Sequence, residues 1–291
     1  MELRVILSEA LEDYKNNPVI VVPRVIEYLA DGIILMSIGL FWVAVFGYSS
    51  LFTLTGFSFK TTALIFISLS FAGLMVMMVT AMARAAVVAM SLEVIKGNRA
   101  SMEHAVQGIK ASAHKIFLYF VFLLAAVALV VVIAAMAMRA SPSLLFLVMP
   151  LGMVAFFSLY LFTFLTPQQI VVRGCGVSEG ITESAAFVIN NYGKVLGYGF
   201  VVLALILSAW LIPASIFFII NELTRYHPFL NLAAGIFHSL LSLAIGIAVS
   251  PYLEIVKTYM VVGEIHGRTG ENKKEETERD AGESQTSDTS E

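Results

Sequence analysis

Six stretches without a formal charge dominate this sequence: 32–59, 61–83, 116–138, 140–172, 195–221 and 226–253, with histidine set aside. A helix needs about 20 apolar residues to cross the hydrocarbon core of a bilayer, and each stretch is long enough. Charged residues make up only 13% of the chain, against about 25% in a soluble domain. The reading that follows is an all-α, polytopic transmembrane bundle of six spans in one integral membrane domain, residues 1–263.

Between the spans the chain has a recurring grammar. Residues 2–15 put Leu3, Ile6, Leu7, Ala10, Leu11 and Tyr14 on one helical face, and Asn16-Asn17-Pro18 ends the segment. It is too polar to span and is expected to lie in the interface. A second amphipathic segment, 101–114, follows Gly97-Asn98, with Ser101 as its expected N-cap and Glu103 in its first turn. A third follows Gly174-Cys175-Gly176, with Ser178 as its expected cap. Each is succeeded by a span, a short turn and a returning span, so the chain reads as a possible threefold repeat of units 1–96, 97–173 and 174–263. Asn16-Asn17 and Asn190-Asn191 take similar places in it, as do Lys115 and Lys194.

Fifteen of the eighteen lysines and arginines fall on the side of the three amphipathic helices, and only Lys60, Arg139 and Arg225 on the other. The excess of positive charge marks the cytoplasmic face, which predicts a multi-pass cell-membrane protein with both termini cytoplasmic. No cleavable leader is evident, so the first span is expected to remain as an anchor. From 271 to 291 eight acidic residues stand against three basic ones, with no aromatic or large aliphatic side chain. Segment 264–291 is accordingly expected to be a disordered acidic tail.

The stretch from Pro167 through Gly197 carries a resemblance. A proline near the end of a span is followed by Ile170-Val171-Val172, a glycine-containing break at 174–176, and a helix with a central small residue, Ser184. Asn190-Asn191, Lys194 and a span opening on Gly197 and Gly199 complete it, and Asn17-Pro18 after the first helix fits as well. The pattern resembles a prokaryotic group of six-span membrane proteins. That group includes the membrane domain attached to some glycerophosphodiester phosphodiesterases and stand-alone relatives of unassigned function. The resemblance implies the six-span architecture. It carries over no catalytic residue, since no soluble segment here is long enough to be the phosphodiesterase domain.

Ionisable groups inside spans are costly and often functional. Asp31 lies about two turns into the first span, with Glu27 one turn before it, and Arg84 closes the apolar run of the second. An Asp31–Arg84 ion pair is the preferred reading, a proton or substrate site the alternative. Glu254 and Lys257 sit three apart on one helix face, where opposite charges attract. His238 is the only histidine well inside an apolar run, and a neutral imidazole bonded to a neighbouring helix is preferred over a proton carrier. Pro150, Pro213 and Pro251 fall inside the last three spans and are candidate helix breaks. The single cysteine, Cys175, excludes an intrachain disulfide, and no histidine pair has the spacing of a helical metal site, so neither metal nor cofactor is expected. No phosphate loop, nucleophile constellation or nucleic-acid patch is present. The sequence therefore points to a non-enzymatic membrane protein acting through lipids, anionic headgroups among them, or through a protein partner. A small-solute or lipid transporter is the alternative.

Overall fold

The computed structural model describes residues 2–46, 59–224 and 228–286. The expected outer-side residues Gly47, Tyr48 and Arg225, and His227, lie outside the described residues. The elements are α1 (Leu3–Asn16), α2 (Val22–Phe46), α3 (Phe59–Ile95), α4 (Met102–Ala140), α5 (Leu145–Thr163), α6 (Thr166–Arg173), α7 (Val177–Asn190), α8 (Tyr192–Thr224) and α9 (Pro228–Thr286). Short 3-10 turns, Pro18–Val21 and Pro142–Leu144, precede α2 and α5. The described residues hold six stretches of helix long and apolar enough to cross a membrane. This is an all-helical, multi-pass membrane protein.

Local chemistry explains the ends of the elements. Gly97 and Gly174 both have positive φ, 85° and 69°, a region that glycine enters without steric cost. Gly97 lets the chain turn from α3 toward α4, and Gly174 is the C-cap of α6. Ser101 caps α4, its side chain accepting from the His104 amide at 3.4 Å. The segment 101–114 is continuous with the span that follows it, because nothing between Met102 and Ala140 breaks the backbone ladder. Ser178 does not cap α7. That helix starts two residues earlier than such a cap would place it, at Val177, with Gly176 as its N-cap.

α1 and α7 are matched pieces. Each has 14 residues, and each is followed by an asparagine cap, Asn17 or Asn191, with φ near −128°. In both, the cap's backbone amide and its side-chain amide donate to the carbonyl four residues back, Asp13 or Phe187. Both helices lie across the same end of the bundle. α1 buries Ile6 and Ala10, and α7 buries Gly180 and Ser184 at the corresponding positions.

None of the three prolines read as breaks interrupts its helix. Pro150, Pro213 and Pro251 lie inside α5, α8 and α9. Neighbouring helices and local adjustment accommodate the lost hydrogen bond within a membrane bundle. The break in the fourth span falls instead at Phe164-Leu165, just before Pro167, which occupies the first turn of α6. A proline is tolerated there because its missing N–H would have had no partner in any case. Side chains from two other helices staple this break. The Tyr119 hydroxyl on α4 donates to the Thr163 carbonyl at 2.9 Å, and the Leu165 amide donates to Ser184 Oγ on α7 at 3.2 Å.

The helix of α9 continues through Thr286, where composition alone suggests disorder. The segment is rich in Glu, Lys and Arg, which are good helix formers.

Burial is strongly uneven. The fully buried apolar side chains Ile20, Val87, Val88, Met90, Ile116, Leu165, Ile170, Val188, Ile255, Val256 and Val261 all lie at the end where α1, α6 and α7 pack. Toward the other end, Leu35, Met36, Phe66, Phe71, Leu129, Phe157, Phe200 and Leu240 are exposed. None of α2's most apolar stretch is buried.

Candidate functional site

The packed end encloses a cluster of charges. It begins with Arg24 and Glu27, three apart on the first turns of α2, whose Nη1 and Oε2 are 2.6 Å apart. Both are buried. Arg24 Nη2 donates to Glu254 Oε1 on α9 at 3.5 Å. Lys257, one turn on from Glu254, donates to the same oxygen at 3.2 Å. Arg84 on α3 brings its Nε to 4.0 Å from that oxygen. The other carboxylate oxygen accepts from Gln168 Nε2 on α6. Four helices thus converge on one buried carboxylate: α2 brings Arg24, α3 brings Arg84, α6 brings Gln168, and α9 carries Glu254 itself with Lys257.

The Asp31–Arg84 pair favoured from the sequence does not form. Arg84 instead approaches Glu254, to which α2, α3, α6 and α9 all bring a side chain. Asp31, one turn beyond Glu27, keeps a buried Oδ1 without a hydrogen-bond partner. His238 is remote from the cluster on α9, about 24 Å along the helix from Glu254. Its ring packs on Phe217 at 5.2 Å between centroids, and its Nδ1 has no partner.

Two members of the cluster were not singled out from the sequence. Arg24 is one of the fifteen basic residues on the side of the amphipathic helices, and its i,i+3 spacing to Glu27 is a readable signal. Gln168 and Gln169 lie inside a charge-free run. Two adjacent amides beside a proline at the end of a span are the signal that could have found them. Both are fully buried, and Gln168 Oε1, both polar atoms of Gln169 and Thr166 Oγ1 have no hydrogen-bond partner.

Chemically, the cluster clamps rather than reacts. Both oxygens of Glu254 are occupied, so it is not poised to take a proton from a substrate. Breaking a buried pair by removing one partner costs about 3–5 kcal/mol, because the other charge is left uncompensated. Outside the spans, burial pushes the Cys175 thiol above its ordinary value, and its Sγ donates to the Gln169 carbonyl at 3.4 Å. That environment suits a packed thiol, not a nucleophile. Among the described residues no group of three or more His, Cys, Asp or Glu could hold a metal ion. Comparison with protein-family models, with curated proteins and with solved structures found no match.

Proposed function

We propose that this is a non-enzymatic protein of the cell membrane, with both termini cytoplasmic, that acts through contacts with lipid, anionic headgroups foremost. The observation that carries the reading is the set of exposed basic side chains around the packed end: Arg4, Lys15, Lys96, Arg99 and Lys110. Only Lys96 has a carboxylate partner among the described residues, Glu93 at 2.7 Å. The others are free to meet an anionic surface, where each is worth about 1 kcal/mol. α1 and α7, each with a buried and an exposed face, would lie in the headgroup layer at that end. The same region contains the residues behind the resemblance to the six-span group, including the break at Gly174, the central Ser184 and the Asn191 cap.

The test is thermal unfolding of the protein in nanodiscs of neutral lipid and of the same lipid with an anionic fraction. Anionic lipid should raise the midpoint at low salt, and Lys96→Gln with Lys110→Gln should remove part of the gain. Equal midpoints in both lipids would sink the reading. A second reading, transport of a small solute or lipid, is favoured by the span broken at Phe164-Leu165 beside the unpartnered Gln169. Flux into proteoliposomes that depends on Gln169 would support it.

A further inference from the structure

Arg84 differs from the other cations of the cluster. Its side chain is 29% exposed, against 6% for Arg24 and 10% for Lys257. A guanidinium carries five N–H donors. Among the described residues those of Arg84 make no hydrogen bond, and its buried Nε is unsatisfied. Its contacts are the 4.0 Å approach to Glu254 and the face of Phe120, 5.2 Å from the ring centroid. Glu254 Oε1, the oxygen nearest Arg84, already accepts from Arg24 and Lys257, and Gln168 is on the other oxygen. By contact the cluster holds three cations and two carboxylates, and Asp31 does not reach it. One positive charge with unused donors therefore stands at the border between the packed and open ends. One turn past Phe120 on α4, Leu124 is apolar and exposed.

We propose that Arg84 is the headgroup residue of an interior lipid site, its guanidinium holding the phosphate of one anionic phospholipid whose acyl chains lie along the apolar side chains of the open end. The phosphate supplies the oxygens that Arg84 lacks, in the two-pronged geometry at which guanidinium excels. The approach over apolar surface selects a phosphate that is attached to hydrocarbon. This site deepens the lipid-contact reading above and rests on it, but it is a single position inside the bundle and not the exposed basic ring.

The experiment is native mass spectrometry of the full chain in mild detergent with added phosphatidylglycerol, with diacylglycerol of the same chains as the uncharged control. One phosphatidylglycerol should be retained per chain, and diacylglycerol should not. Arg84→Gln should weaken retention about tenfold, and Arg84→Lys, which keeps the charge but not the fork, should fall between. Thermal melting of each variant in the same detergent separates lost binding from lost folding. If Arg84→Gln does not fold, Arg84→Lys carries the test, and full retention in it overturns the role of the fork. Excess glycerol phosphate should leave the lipid bound; displacement would overturn the lipid assignment in favour of a free phosphate ester. Unchanged retention in Arg84→Gln with loss in Lys96→Gln/Lys110→Gln would overturn the interior site and leave the headgroup reading standing. No adduct above the diacylglycerol control would overturn the interior site outright, and the nanodisc measurement would then judge the headgroup reading separately.

Discussion

The two ends of this bundle share its long helices and are held by different means. At the packed end, α3, α4, α6 and α9 press together around small residues and buried charges. Gly108 on α4 is so close to α3 that a Cβ there would stand 2.4 Å from the Ala89 Cβ and 2.8 Å from the Ala85 carbonyl. At the open end, Gly39 on α2 has nothing within 4 Å of where its Cβ would be. The contrast teaches that in lipid, apolarity alone does not pull helices together, since acyl chains are as apolar as leucine. Close approach and polar contacts do, and both are concentrated at one end.

The comparison can be broken first at Glu254. Glu254→Ala leaves Arg24, Arg84 and Lys257 without their common counter-charge, and a loss of about 3–5 kcal/mol is expected. Chemical unfolding in detergent measures it; a loss below about 1 kcal/mol would mean that the charges do not hold this end together. Gly108→Ala comes next. It must force α3 and α4 apart against backbone as well as side chain, at about 1–3 kcal/mol, whereas Gly39→Ala should change stability by less than about 0.5 kcal/mol. Equal effects at the two glycines would erase the distinction between the ends. Tyr119→Phe removes the hydroxyl that staples the broken span and should cost about 1 kcal/mol, with faster amide exchange around Phe164-Leu165 as its local signature. The smallest effect is expected from Asp31→Asn, within about 0.5 kcal/mol. A loss as large as that of Glu254→Ala would show that Asp31 belongs to the cluster after all.

Much of the architecture was open to a reader of the sequence. The charge-free runs locate the spans because the bilayer imposes a length that few other environments require. Asn17 and Asn191 mark the ends of two equivalent helices because a cap is a local device. The site was harder to see. Glu27, Arg84, Glu254 and Lys257 stand out as charges near apolar runs, but which carboxylate Arg84 meets depends on how α3 and α9 cross, and no local pattern states that. The pairing chosen from sequence, Asp31 with Arg84, joined helices adjacent in the chain. The pairing formed joins residues 84 and 254. The helix break was misplaced for a related reason. Proline is visible in sequence, but whether a helix bends or stops depends on partners such as Tyr119 and Ser184 supplied from elsewhere.

Because synthesis runs from the N-terminus, the convergence on Glu254 also sets an order of events. Arg24, Glu27, Arg84 and Gln168 are all made, and their helices inserted, before the residue that joins them leaves the ribosome. Until then Arg24 has Glu27 as its partner and, among the described residues, Arg84 has no carboxylate in contact. A nascent or truncated chain lacking α9 therefore leaves Arg84 without its carboxylate contact.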